Sequence, residues 1–302
     1  MKAPSKHLLV YIYTLILIIT SLPSKSPLKF FINITKMKIS LVYFSDINDF
    51  YTTLISVFTV VRALVNDKFI FLIKIYAYDF PPQIPHNITQ HIRFLQTLND
   101  RASIQLIRFN VSMLKSEFPN ATTGSYPLIV LCRLLIPRFV FEQYILYLDS
   151  DVLCGRDFSL EIFDAINSKN QNSQRVLFGV RDIGTSLSKM RKYYKTMGFN
   201  IRNYINAGIL FMKNSYILGK LLNQSIQYVN THKSRFSDQD AINYAFNKTY
   251  KGMLPHEFNC HFCRREKMNQ VVFFHGRKIR FWKKMITKYN NQYEAFIQLY
   301  NT

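Results

Sequence analysis

The sequence predicts an α/β domain whose sheet is mostly parallel and carries helices on both faces. Three observations predict it. Short apolar runs rich in β-branched and aromatic residues alternate with stretches of helical periodicity along most of the chain. The 302 residues are 48% hydrophobic, with 26 Phe and 19 Tyr, so a large core can be buried. One apolar run, Tyr144–Leu148, stops abruptly at acidic residues. Open α/β sheets bind ligands at the carboxyl ends of their strands.

The elements follow in order. Lys38–Phe44 reads as a buried strand. Tyr51–Val65 reads as a helix, with Leu54, Ile55, Phe58, Val61, Ala63 and Leu64 as its apolar residues. Lys68–Ala77 is a second strand, His86–Leu98 a helix and Ala102–Arg108 a third strand. Tyr126–Val140 reads as a helix with Pro137 near its end, and Tyr144–Leu148 as the strand that runs into Asp149. Arg175–Val180 and Ile205–Met212 are further strands, and Tyr216–His232 and Gln239–Asn247 are helices. Ser237 is suited to N-cap the last of these. Beyond them, Trp282, Ile286, Tyr289, Tyr293, Phe296 and Tyr300 recur at helical spacing among Lys283, Lys284 and Lys288. Such a basic amphipathic helix can lie on a membrane surface or pack against its own domain.

The ends and the charge bound the setting. Lys2, Lys6 and His7 precede an apolar run from Leu8 to Leu22, and Lys25 follows. Fifteen helical residues span roughly 22 Å, short of a full bilayer core. Residues 1–25 are therefore expected to be a signal peptide or short signal-anchor, and 26–37 a short stem before a domain at 38–302. Six N-x-S/T sequons begin at Asn33, Asn87, Asn110, Asn120, Asn223 and Asn247. Together these features predict a single-pass type II protein of the secretory pathway, in the Golgi membrane, with its domain in the lumen. The net charge of +21 points to phosphates, anionic membranes or acidic polymers as partners. Zinc-finger spacing, RNP-type motifs and basic zippers are all missing, so no nucleic acid is expected. The pair Cys260-His261-Phe262-Cys263 lacks a second pair to complete a zinc site, so a local disulfide or two buried thiols is expected.

The chemistry concentrates in Tyr147-Leu148-Asp149-Ser150-Asp151-Val152. Carboxylates spaced i, i+2 at a strand end point to one face. Such a pair suits a hard divalent cation, Mn²⁺ or Mg²⁺, that also holds phosphate oxygens.

Four segments in order then carry a resemblance. They are Phe44-Ser45-Asp46-Ile47-Asn48, the run from Leu131 through Arg133 to Pro137 followed by YILYLDSDVL, Asn206-Ala207-Gly208, and Ser237-Asp238-Gln239-Asp240. Over about residues 38–283 the sequence resembles glycosyltransferase family 8, which includes glycogenin and bacterial lipooligosaccharide galactosyltransferases. The resemblance implies a GT-A, Rossmann-like nucleotide-sugar-binding domain. It implies retaining transfer from a UDP-sugar donor to a glycan or glycoprotein acceptor, with Mn²⁺ or Mg²⁺ as cofactor. Asp46 and Asn48 would bind the uridine and ribose, with Asp49 where the family often has an aromatic. Arg133 would contact the donor, and Asn206 and Ala207 would line the sugar pocket. Asp238 and Gln239 would sit beneath the anomeric carbon, with an amide where retaining hydrolases place a carboxylate nucleophile. Asp149 and Asp151 would ligate the metal.

The family's third ligand is a histidine in His-x-x-Gly-x-x-Lys-Pro-Trp. Here the matching stretch is Phe273-Phe274-His275-Gly276, followed by Arg280-Phe281-Trp282. Phe273 or Phe274 occupies the histidine column, and His275 lies one or two positions away. A one-residue slip in a strand turns a side chain to the other face unless a bulge restores it. His275 is still the candidate ligand, with Gly276 and Arg280 as diphosphate contacts. The displaced histidine leaves open a second reading, a lumenal protein that binds a nucleotide or glycan without turnover. A phosphodiesterase would call for a richer His/Asp cluster than the sequence holds.

Overall fold

The computed structural model describes residues 36–66, 68–81, 83–121, 127–167, 174–261 and 270–276. The predicted anchor, most of the stem, the C-terminal helix and Arg280 fall outside them. Among the described residues no helix is long and apolar enough to cross a membrane.

The chain runs β1 (Met37–Asp46), α1 (Phe50–Ala63), β2 (Phe69–Tyr78), α2 (His86–Thr97), β3 (Ala102–Phe109), α3 (Val111–Glu117) and a 3₁₀ helix, Leu128–Arg138. It continues through β4 (Tyr144–Leu148), β5 (Val152–Cys154), α4 (Ser159–Asn167), β6 (Leu177–Arg181), α5 (Ser188–Thr196) and β7 (Ile205–Lys213). It then forms α6 (Tyr216–Thr231), α7 (Ser237–Ala245), β8 (Lys251–Leu254) and β9 (Phe273–His275). The seven-stranded sheet has the order β3-β2-β1-β4-β7-β6-β8. Only β7 runs against its neighbours, β4 and β6; the other pairings are parallel. The mostly parallel α/β fold read from the sequence is the fold observed.

Strand alternation divides the core between the two faces. Ile39, Leu41 and Tyr43 of β1 pack with Phe71 and Ile73 of β2, Leu146 of β4, and Leu54, Val57 and Phe58 of α1. Val42 and Phe44 turn the other way and join Ile145, Tyr147, Leu210 and Met212 against Leu131, Leu134, Leu218 and Ile242. Helices therefore cover both faces because both faces are apolar.

Two local expectations are corrected. The segment around Arg133 is an eleven-residue 3₁₀ helix and not an α-helix, and Pro137 lies inside it. Proline lacks the N–H that α-helical continuation needs. Ser237 does not cap α7; Phe236 holds that position, and Ser237 is the first helical residue. The N–H of Phe236 instead donates to Asp240 Oδ2 at 3.1 Å, so a carboxylate four residues on satisfies the helix start.

A separate two-stranded ribbon positions the site. β5 pairs antiparallel with β9, setting Val152 opposite His275 and Cys154 opposite Phe273. Phe273 and Phe274 are buried at 0% and 4% exposure, which orients the ribbon. Cys260 N–H donates to Phe273 O at 2.9 Å, and His275 N–H donates to Cys260 O at 3.1 Å. Cys260 is disulfide-bonded, so it is no thiolate ligand, while Cys132 and Cys154 are buried thiols. Cys263 lies outside the described residues.

Candidate active site

A cavity of ≈450 Å³ opens at the carboxyl ends of β1 and β4, beside the start of β7 and the first turn of α7. Chain direction explains its acidity. β4 leaves the sheet after Leu148, and Asp149 N–H donates to Gly208 O of β7 at 2.8 Å. Val152 N–H then donates back to Asp149 O at 3.2 Å, closing a tight turn that holds Asp151 over the cavity. From the other side, Gly276 N–H donates to Asp151 O at 3.1 Å. These bonds bring one donor atom each of Asp149, Asp151 and His275 within 4.8 Å of one another. His275 thus reaches the carboxylates while Phe273 and Phe274 fill the core.

The histidine is oriented by a chain of amides. His275 Nδ1 bonds Asn259 Oδ1 at 2.9 Å, and Asn259 Nδ2 donates to Asn206 Oδ1 at 2.8 Å. Asn206 Nδ2 in turn donates to Asp182 Oδ2 at 3.1 Å. This network assigns the Nδ1 proton and leaves Nε2 facing Asp149 Oδ2 and Asp151 Oδ1, at 3.5 and 3.4 Å. Burial opposes a proton on His275, but the bonds to Asp149 and Asp151 outweigh it and raise its pKa to about 9. The His261 ring lies against that of His275, tilted by 37° with centroids 4.4 Å apart; burial, then the neighbouring His275, push its pKa down to about 4.

Gly208 makes the approach possible. A Cβ there would stand 2.1 Å from His275 Cε1 and 2.7 Å from Asp149 Oδ2. Any side chain would displace both groups.

Arg133 sits 5% exposed at the cavity base. A buried guanidinium needs partners, and it has them. Its NH2 meets Asp149 Oδ1 at 3.0 Å, its Nε meets Asp238 Oδ2 at 3.1 Å, and its NH1 donates to Ala207 O at 2.6 Å. It also lies 4.8 Å from the centroid of the Tyr147 ring. Burial raises the Asp149 pKa, yet Arg133, His275 and Tyr147 together hold that carboxyl well below the usual range. Asp238 goes the other way: burial raises it, Arg133 opposes, and Asp149 adds to the rise.

Gln239 is fixed at both ends of its amide. Oε1 accepts from Ala207 N–H at 3.0 Å, and Nε2 donates at 3.4 Å to both Asp182 Oδ2 and Tyr204 Oη. Ala207 therefore works through its backbone, giving its N–H to Gln239 and its carbonyl to Arg133.

The other end of the cavity departs from expectation. Asp46 lines it, and its Oδ1 accepts the N–H of Asp49 at 2.9 Å. This turn leaves Asn48 exposed and off the wall, while Asp49 lines it. Gly276 does not line the cavity either; its φ of +109° is one that favours glycine, and it serves the backbone bond to Asp151. The residues overlooked in the sequence are Asp182, Asn259, His261 and Gly208. Gly208 stood inside a motif already noted. Asp182 and Asn259 carried no local signal beyond a polar residue following an apolar run.

The arrangement fits a divalent cation. Two carboxylates and an imidazole oriented through its far nitrogen form a suitable donor set. Among the described lining residues, Asp46, Asp49, Asp149, Asp151, Asp182 and Asp238 face only Arg133 and His275 as cationic groups. An anionic ligand would be repelled from such a cavity without added positive charge.

Known proteins share this fold. No curated protein sequence matches the chain at a significant level. Among solved structures, the galactosyltransferase LgtC in complex with donor and acceptor sugar analogues is similar. Its TM-score is 0.56 at 19% identity, over 78% of this chain and 86% of that one. The bifunctional glycosyltransferase WbbM gives a TM-score of 0.59 at 16% identity; 80% of this chain is covered, but only 46% of WbbM. Mouse xyloside xylosyltransferase 1 gives 0.55 at 12% identity, over 80% of this chain and 98% of that one. Identities this low show a shared fold. The family itself is shown by the sequence, because the model of Glycosyl transferase family 8 matches residues 11–280, and the chain belongs to that family.

Proposed function

We propose that this glycosyltransferase moves a sugar from a UDP-sugar to a glycan or glycoprotein acceptor, with retention at the anomeric carbon and with a divalent metal, Mn²⁺ or Mg²⁺. The observation that carries the reading is the convergence of Asp149, Asp151 and His275 beside Arg133 and Gln239 in one cavity. Asp149, Asp151 and His275 Nε2 would hold the metal, which when bound supplies Lewis-acid stabilisation of a departing diphosphate.

The chain's own residues supply the rest. Arg133 keeps Asp149 ionised, so the carboxylate is ready without first losing a proton. Asn259 holds the Nδ1 proton, which keeps Nε2 aimed at the carboxylates. The bonds from Ala207 and to Asp182 hold the Gln239 amide against rotation. An amide in that place offers polar contact to a developing positive charge at the anomeric carbon, yet it is a poor nucleophile. A front-face reaction, in which the leaving diphosphate helps to deprotonate the acceptor, agrees with that. Asp46 and Asp49 offer acceptors for the hydroxyls of a ribose. We place the domain in the secretory lumen, on the strength of the Leu8–Leu22 run and the sequons.

The test is a panel of UDP-sugars, incubated with Mn²⁺ and a mixture of oligosaccharide acceptors. Product anomers are read by proton NMR. One donor should give product with its configuration kept. An inverted product, or transfer only from a donor with another nucleotide, would sink the reading.

A further inference from the structure

One motif and one cavity take no part in this chemistry, and they coincide. A groove of ≈540 Å³ runs along the outer face of α6. It begins near Asn214, whose N–H donates to Gln143 O at 2.8 Å, at the end of β4 opposite Asp149. Tyr216, Gly219, Lys220, Asn223, Gln224 and Gln227 line it from α6, and Pro137 lines it from the 3₁₀ helix. Tyr216 is 86% exposed, an aromatic surface that nothing among the described residues covers. Gly219 lies inside α6, where glycine is a poor helix former. A Cβ there would meet nothing within 4 Å, so no packing within the described chain demands glycine. Its missing side chain lowers the groove floor instead.

Asn223 stands at the middle of this face, exposed, and opens the sequon Asn223-Gln224-Ser225. Its Oδ1 accepts from Arg138 at 3.3 Å, and no hydrogen bond among the described residues uses its Nδ2. The nearby amides of Gln224 and Gln227 are uncharged donors and acceptors, and a tyrosine ring offers a flat apolar face. That combination, with the Lys220 ammonium as a further donor, suits the hydroxyls and ring face of a sugar.

We infer that Asn223 carries an N-linked glycan whose first sugars lie in this groove, over Gly219 and against Tyr216. The step joins Asn223 Nδ2 to the anomeric carbon of an oligosaccharide carried on a polyprenyl diphosphate. The amide loses one proton to solvent, and the carrier leaves as its diphosphate. Attachment precedes folding, because Ser225 is fully buried and its Oγ bonds Leu221 O and Ala241 O, each at 3.2 Å. The inference rests on the lumenal placement proposed above.

The experiment uses the full chain made in secreting eukaryotic cells. Peptide-N-glycosidase in heavy-oxygen water marks each asparagine that bore a glycan, and mass spectrometry reads the marks. Asn223 should be marked, along with the exposed turn residues Asn120 and Asn247. From native protein, release at Asn223 should be about tenfold slower than at Asn247, as expected of a glycan held closed most of the time. Tyr216→Ala should remove that difference without changing occupancy. Marks at Asn247 with none at Asn223 would overturn the inference and leave the lumenal placement standing. No marked sequon would overturn both, and equal native release rates would overturn the seating of the glycan.

Discussion

Asp238 and Asp240 lie two residues apart in the first turn of α7, both buried, yet they belong to different regions. Asp238 faces the cavity and meets Arg133. Asp240 faces away and accepts from Tyr193 Oη at 2.6 Å, from Tyr204 Oη, and from Phe236 N–H at 3.1 Å. Burial raises the pKa of both, partly offset by Arg133 at Asp238 and by the two tyrosines at Asp240. The difference is in the donors. Asp240 is closed by neutral groups of the fold, whereas Asp238 belongs to a charged cluster left open on one side. The same residue type, one turn and similar burial give a structural carboxylate and a candidate functional one.

Substitutions separate the two regions. The largest effect is expected from Asp151→Ala, with at least about a hundredfold loss of transfer and an unchanged fold, since Asp151 has no part in the Arg133 pairs. Circular dichroism and rate measurements check it together. Next, Asp238→Ala should cut the rate per folded molecule, whereas Asp240→Ala should act on stability. The latter leaves three donors without their acceptor, at about 1–3 kcal/mol each, so urea unfolding should show the larger loss there. Equal rate loss in both, at equal stability, would erase the distinction.

Gly208→Ala should come third. Its Cβ would collide with His275 and Asp149, so Mn²⁺ affinity measured by calorimetry should fall about 10–100-fold. Smallest is a pH effect in the metal-free protein. His275 binds its proton more tightly folded than unfolded, with a pKa of about 9 against 6.5. That stabilisation is complete below pH 6.5 and is lost as pH rises through 9. In EDTA, the wild-type melting temperature should therefore fall over this window, and should fall less in His275→Gln.

Much of the fold was legible because hydrophobic periodicity is local. Six of the nine strands among the described residues were expected from apolar runs alone. Arg133 with Asp149 and Asp151 could also be found, since a charge inside an apolar run is costly and marks itself. The missed parts depend on register between distant segments. Asn48 was expected in the site, but the Asp46–Asp49 bond turns it outward. The reach of His275 depends on β9 pairing with β5, which no spacing in β9 reveals. Asp182 and Asn259 enter through hydrogen bonds to Asn206 across 24 and 53 residues of chain.

The proposed function rests on Asp149, Asp151 and His275 forming a metal centre on which sugar transfer depends. It is tested most directly by UDP release from the active donor, measured with Mn²⁺ and then with EDTA, beside Asp151→Ala. Release that needs Mn²⁺, stops with EDTA and is lost in the variant is the predicted result. Release that persists in EDTA and survives Asp151→Ala would contradict the claim.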